Sequence, residues 1–319
     1  MVFKKVLRAL GVGGPSVDTV LSNSRVHPGG VLTGEVRMVG GDADSDIDYV
    51  ALSLVARVER SDDSVAPVEF DRAVVAGRFS LPAGQQRTIP FQLPVPWEAP
   101  LTEVFGTHLH GMALGLRTEL AVAKAVDKGD LDPVQIVPLP SQEAVLGAFG
   151  QLGFRFKTAD LEAGRIHGVP QQLPFFQEIE FYPPPHLARG ITQVELTFVT
   201  EPQGMAVVLE ADRRAGLFTS GGDVYGRFHV SHHDAERTDW RARIEEWLTQ
   251  VAGRRGQSHG HESHGYQAHG HQSHGFHGGH HGGPGVGGIV AGAAAGIVGG
   301  MVLGEVFDEV GDFFGGDED

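Results

Sequence analysis

A mainly β protein is what this 319-residue sequence predicts: two antiparallel β-sandwich domains in tandem, with short framing helices and a disordered C-terminal tail. Three observations carry that prediction. Apolar residues recur at every second position in many short runs, as they do in strands with one buried side. Pro and Gly turn signals separate the runs, with no long helical segments between them, which favours stacked sheets. One proline-rich hinge, Asp132-Pro133-Val134-Gln135-Ile136-Val137-Pro138-Leu139-Pro140, splits the runs into two blocks.

The first block opens after Pro28-Gly29-Gly30, where Leu32, Gly34, Val36 and Met38 alternate with Thr33, Glu35 and Arg37. Past Gly40-Gly41-Asp42, Val50, Leu52, Leu54, Ala56 and Val58 alternate with Ala51, Ser53, Val55 and Arg57. Two more runs follow: Ile89, Phe91, Leu93 and Val95, then Leu116, Leu120 and Val122 about Arg117 and Glu119. The second block repeats the pattern at Phe154 and Phe156, Ile179 and Phe181, Val194, Leu196 and Phe198, Val207, Leu209 and Ala211, and Val224, Gly226, Phe228 and Val230. Two helices frame it. Ser141 is the expected cap of a helix through Ala144, Val145, Leu146 and Phe149, and Thr238 of one with the stripe Trp240, Ile244, Trp247, Leu248 and Val251. The predicted division is 1–137 and 138–252 for the two sandwiches, 253–285 for a disordered His/Gly-rich tether, 286–304 for a glycine-ladder segment and 305–319 for an acidic tail.

Composition narrows the function. A net charge of −15 argues against a nucleic-acid footprint, which needs clustered Lys and Arg. With no Cys, disulfides, thiol chemistry and Cys-based zinc sites are excluded. Met1 to Leu10 lacks the uninterrupted apolar core of a secretion signal, so the expected location is cytoplasmic, with membrane association as a further option. Phe3, Val6, Leu7 and Leu10 fall at helical spacing; the segment reads either as a weak basic membrane contact or as a terminal helix docked on the first domain.

The tail changes character. From Ser258 a five-residue repeat runs Ser-His-Gly-His-Glu, Ser-His-Gly-Tyr-Gln, Ala-His-Gly-His-Gln and Ser-His-Gly-Phe-His, and nine of the 17 histidines lie between His259 and His281. Such a string reads as a polar tether, or as a loose ligand set for zinc, nickel or copper, without the fixed geometry of a defined site. Val286 to Leu303 is uncharged, and Gly288, Gly292, Gly296, Gly300 and Gly304 recur at every fourth position. That spacing lines one side of a helix with glycine, which permits close self-association or a weak membrane contact; a floppy Gly/Ala tail is the other reading. Glu305 to Asp319 holds seven acids and no base.

Reactive constellations are missing. No Gly-x-Gly-x-x-Gly follows a strand and no phosphate-binding Gly-x-x-x-x-Gly-Lys-Ser/Thr loop occurs; the Gly-x-Ser-x-Gly pattern appears at Gly256 to Gly260, inside the His/Gly-rich tether and not at the strand-to-helix turn of a nucleophile elbow. His108 and His110 sit two apart, and His232 and His233 adjoin Asp234, but neither pair has a third ligand at recognisable spacing. Asp42, Asp44, Asp46 and Asp48 loosely resemble a calcium loop, without its Gly at the sixth place or Glu at the twelfth. No residue is assigned a catalytic, cofactor or metal role.

Several segments form a further pattern in order along the chain: Phe3-Lys-Lys-Val-Leu with Gly11-Val-Gly and Val17-Asp-Thr-Val-Leu, Pro28-Gly-Gly-Val-Leu-Thr-Gly-Glu-Val, Ile89-Pro-Phe-Gln-Leu-Pro, the hinge from Pro133 to Pro140, and Leu152-Gly-Phe with Asp160-Leu-Glu. In these segments the sequence resembles the bacterial sporulation-control proteins of the stage-zero "M" type. The resemblance covers about residues 1–251; the His-Gly repeat and glycine ladder lie outside it. It implies an arrestin-like fold of two β-sandwiches and a regulator of development or stress response that docks protein partners, often at strand edges. It carries over no catalytic residue. The expected function is therefore a non-enzymatic regulatory scaffold without cofactors, binding regulatory proteins. The alternatives are a metal-handling protein using the His-rich tail, and a hydrolase with a site in the cleft between the blocks.

Overall fold

A computed structural model describes residues 13–60, 64–123, 125, 127–188, 190–213 and 224–253. The N-terminal amphipathic segment, the His-rich tether, the glycine ladder and the acidic tail all lie outside the described residues.

The described chain is rich in antiparallel sheet, as the alternation predicts. In the first half, β1 (Ser16–Asn23), β3 (Val31–Val39) and β7 (Gln86–Pro94) form a three-stranded sheet, with the short β2 (Arg25–Val26) after β1. A second sheet is centred on the 15-residue β4 (Ser45–Glu59). Along one side of β4 runs β10 (Leu114–Val122), followed by β11 (Lys128–Pro133); along the other run β5 (Val65–Ala76) and β6 (Phe79–Leu81). Leu32, Val36, Met38, Phe91 and Leu93 of the first sheet join one buried cluster with Leu52, Leu54, Leu116 and Leu120 of the second. Each such side chain contributes about 1.5–3 kcal/mol on leaving water.

β4 departs from simple alternation. Its outward residues Ala51, Ser53 and Val55 are buried too. Ser53 is in register with Arg117 of β10 on one side and Arg72 of β5 on the other, and Ala51 with Glu119 and Val74. Long neighbours thus close over short side chains on a central strand.

The proline-rich stretch is held in place by its neighbours. After a small hairpin of β8 (Glu103–Val104) and β9 (Thr107–His108), the chain runs through β10 and β11 into β12 (Gln135–Ile136), which pairs in parallel with β2. Val134, Ile136 and Val137 are buried. The Ile136 N–H donates to Thr102 Oγ1 at 2.9 Å, and Thr102 N–H donates back to the Ile136 carbonyl at 2.9 Å. Sequence alone reads this stretch as a hinge because proline density marks a chain break, but burial of its apolar residues is not visible in one dimension.

α1 (Pro140–Leu152) follows. Leu139, not Ser141, occupies the cap position, Pro140 sits in the first turn where no N–H is needed, and the Leu139 N–H donates to Gln142 Oε1 at 2.9 Å. Gly153 ends the helix at φ 86°, a left-handed cap that lets its N–H and that of Phe154 return to Gly150 and Phe149 carbonyls. β13 (Arg155–Ala163), β14 (Phe175–Tyr182), β15 (Ile191–Glu201), β16 (Gly204–Arg213) and β17 (Val224–Ser231) then form an antiparallel meander. A single parallel pair, Glu162 with Glu59, continues this sheet from β4.

α1, the short α2 (His232–Ala235) and α3 (Trp240–Gly253) complete the second half. The stripe Trp240, Ile244, Trp247, Leu248 and Val251 is buried as its spacing predicts, in one cluster with Phe149, Phe181, Leu196 and Leu209. The cap of α3 is Asp239, whose Oδ1 accepts the Ala242 N–H at 3.1 Å; Thr238 Oγ1 instead donates to the Asp234 carbonyl at 2.8 Å. Among the described residues, no helix is long and apolar enough to cross a membrane.

Candidate functional site

The histidine pairs read from the sequence fall in separate places. His108 and His110 are exposed around the β8–β9 hairpin. His233 is exposed, with Nδ1 3.5 Å from Asp234. His232 is built into the fold: Nδ1 lies 2.8 Å from Ser141 Oγ and Nε2 lies 2.9 Å from the Glu201 carbonyl. A carbonyl only accepts, so Nε2 carries the proton and Nδ1 accepts from the Ser141 hydroxyl. Ser141 is 1% exposed, so its hydroxyl is closed to solvent, while His232 is half-buried; the contact joins α1 to α2. Of the aspartate run, Asp44 accepts the Ala83 N–H at 2.9 Å, holding the loop before β7, and Asp48 pairs at 2.7 Å with Arg78, in the turn between β5 and β6. Among the described residues, none of these histidines or aspartates belongs to a group of three ligands at coordinating distance. The His-rich repeat, the basis of the metal-handling alternative, lies outside the described residues.

Two polar arrangements emerge that the sequence reading does not contain. In the first, acids line the sheet face opposite α1 and α3. Strand register sets Asp160 beside Glu178, and Glu180, Glu195, Glu210 and Tyr225 in one row across β14 to β17. Carboxylate oxygens of Asp160, Glu162 and Glu178 lie within 4.8 Å of one another, as do those of Glu178, Glu195 and Glu210. Burial first, then the charges of Glu195, Asp160, Glu162 and Glu210, push Glu178 up to about 9. Burial and Glu180 likewise raise Asp160 to about 7, and its Oδ1 has no hydrogen-bond partner. Lys157 binds Glu180 and Gln193 at the rim. A groove of about 300 Å³ over this face is closed by Arg165, His167, Phe176 and Arg227. An all-oxygen set of this kind suits a hard cation, but at neutral pH a retained proton already relieves the repulsion at Glu178. The signal for it was one or two acids per strand opposite the apolar positions; only the register brings those acids together.

The second arrangement lies at the end of the sheet. Among the described residues β17 pairs with β16 alone, leaving its other edge free. Between that edge and α3 runs a groove of about 320 Å³, lined by Tyr225 to Phe228 and by Arg243, Glu246, Trp247, Gln250 and Val251. Gly226 makes it possible: a Cβ there would sit 2.6 Å from Trp247 Nε1, so only glycine lets the indole lie against the strand. Arg227 stands over the Tyr225 ring at 5.9 Å, and Arg243 over Phe228 and Trp240 at 5.8 and 5.7 Å. Neither arginine makes an ion pair among the described residues. Aromatic faces and unpaired guanidinium groups side by side suit an extended, acidic, partly apolar chain.

The architecture defines a class, the strand-rich protein of facing antiparallel sheets extended by a helix-covered meander. Comparison with known proteins is specific within it. A family model described as SpoOM protein matches residues 3–215. The sporulation-control protein spo0M of Bacillus subtilis (strain 168) is 30% identical over 260 residues, covering 78% of this chain and 96% of that protein. The crystal structure of Spo0M from Bacillus subtilis matches at 28% identity with a TM-score of 0.64, covering 75% of this chain and 100% of the other. The chain belongs to the Spo0M family of sporulation-control proteins, and its role is regulatory.

Proposed function

We propose that this protein is a non-enzymatic regulatory scaffold that works by docking other proteins, and that the docking surface is the free edge of β17 with the groove beside α3. The observation that carries this reading is that edge. Its backbone is paired on one side only among the described residues, and Tyr225 is 52% exposed beside it. An unpaired strand edge offers backbone hydrogen bonds to an extended segment of a partner, while the groove selects its side chains. The burial of the Ser141 hydroxyl, which no substrate carbonyl reaches from solvent, supports a role without hydrolysis. In this reading residues 1–137 and 138–252 are the two folded units, cytoplasmic and indifferent to nucleic acid, and residues 286–304 supply self-association or a weak membrane contact.

The test is a photo-crosslinking residue placed at position 225 of the full chain in its native cells, with position 31 on β3 as the exposed control. A discrete crosslink to another polypeptide at 225 and not at 31, together with loss of regulatory output in Arg227→Glu, supports the reading. Equal crosslinking at both positions, or normal regulation in the variant, refutes it.

A further inference from the structure

Resting on the docking reading above, we propose that the groove between β17 and α3 is occupied in the resting protein by its own acidic C-terminal segment, residues 305–319, which a partner must displace. Charge is the first argument. The groove presents Arg243 and, at its rim, Arg227, which also borders the carboxylate groove on the other face of the sheet; the one acid lining this groove is Glu246, and neither arginine makes an ion pair among the described residues. Residues 305–319 carry seven acids and no base. Apolar content is the second. Phe228, Trp247 and Val251 line the groove, and Val306, Phe307, Val310, Phe313 and Phe314 are interleaved with those acids. An ordinary solvated acidic tail has no use for three phenylalanines in fifteen residues.

Connectivity is the third argument. α3 ends at Gly253, directly beyond the groove residues Gln250 and Val251, so the chain leaves at the mouth of the groove. Residues 254–304 then separate that exit from the acidic segment. A random coil of that many residues would span on the order of 40 Å, enough to return and short enough to give a tethered segment a near-millimolar effective concentration. The contact is therefore favoured within one chain over contact between copies.

The absence of cysteine provides a direct test. A nitroxide on Gly316→Cys in the full-length chain should broaden the amide signals of Tyr225, Gly226, Arg227 and Phe228 and the Trp247 indole at least about twofold more than those of β3. Reversing the acids in Asp308→Lys, Glu309→Lys and Asp312→Lys, which leaves the groove residues untouched, should abolish the excess. Absent or uniform broadening, or broadening that survives the charge reversal, overturns the proposal. So does equal broadening in a mixture of spin-labelled chains with isotope-labelled, spin-free chains, which would put the segment on a neighbouring copy. The two readings fail separately. Without the intramolecular contact, crosslinking at position 225 to a partner is the same in the charge-reversed chain. Without docking, the broadening persists and no partner is captured at that position.

Discussion

Ser141 Oγ sits 2.8 Å from Nδ1 of His232, a residue 91 positions further along the chain, and the other ring nitrogen donates to the Glu201 carbonyl. The imidazole also stacks on Trp97, with ring centroids 5.8 Å apart. Helix, strand end and first-half loop therefore meet on one side chain. His232→Ala should cost about 2 kcal/mol in urea unfolding, and Ser141→Ala about 1 kcal/mol, because the second leaves a single acceptor unpaired. A serine-directed phosphonate probe should leave Ser141 unlabelled; labelling would reopen the hydrolase alternative.

Three buried carboxyls, Glu178 and Asp160 in the meander and Asp132 on β11, set a pH dependence. Glu178 is raised to about 9, and Asp160 and Asp132 to about 7, in each case chiefly by burial. A carboxyl raised on folding binds its proton more tightly in the native state, so its stabilising effect is complete below the unfolded pKa and lost as pH climbs through the folded value. Thermal stability should thus decline from about pH 4.5 towards pH 9, most steeply below about 7, where all three groups hold protons that the unfolded chain has lost, and through Glu178 alone from there to about 9. Glu178→Gln keeps the neutral shape, should flatten that decline, and should raise stability at pH 8.5 by at least about 1 kcal/mol. An unchanged slope in this variant would mean that Glu178 is not the titrating group.

Glu119 presents the opposite case. Burial alone would raise its pKa, but hydrogen bonds from Arg72 and Tyr49 and the charges of Arg72 and Arg117 outweigh it and hold the carboxyl below the usual range. Tyr49 Oη donates at 2.6 Å and Arg72 at 2.7 Å. Glu119→Ala leaves the Tyr49 phenol without its acceptor and Arg72 and Arg117 with Glu69 as their remaining carboxylate, and should cost about 1–3 kcal/mol by chemical denaturation. Glu119→Gln, which keeps one acceptor, should lose less.

Gly226→Ala tests the strand–helix contact. The added methyl meets a buried indole at 2.6 Å, so α3 must shift or strain, at about 1–3 kcal/mol. A red shift of the tryptophan emission should accompany the loss.

How far these features could be read in advance depends on their range along the chain. Alternation placed Leu52, Leu54, Ile179 and Leu196 on buried faces because period two is a local property. Helical spacing placed the Trp240 to Val251 stripe for the same reason. Ser141 was misread as a cap because its hydroxyl serves a histidine far away in sequence, and a local rule supplies a local partner. The acids at 160, 178, 195 and 210 lie on four different strands, so their proximity exists only once register is fixed. Gly226 looked like an ordinary strand position until Trp247 came to lie against it.

The parallel pairing of Gln135–Ile136 with Arg25–Val26 has a mechanical consequence. Gln135 N–H donates to the Ser24 carbonyl at 2.7 Å and Val137 N–H to that of Val26 at 2.9 Å. Tension pulling Ser24 towards the start of the chain and Val137 towards its end loads both links in shear, simultaneously, where an antiparallel hairpin would unzip one link at a time. The junction between the halves is thereby a clamp, strongest along the direction in which the polypeptide itself would be stretched.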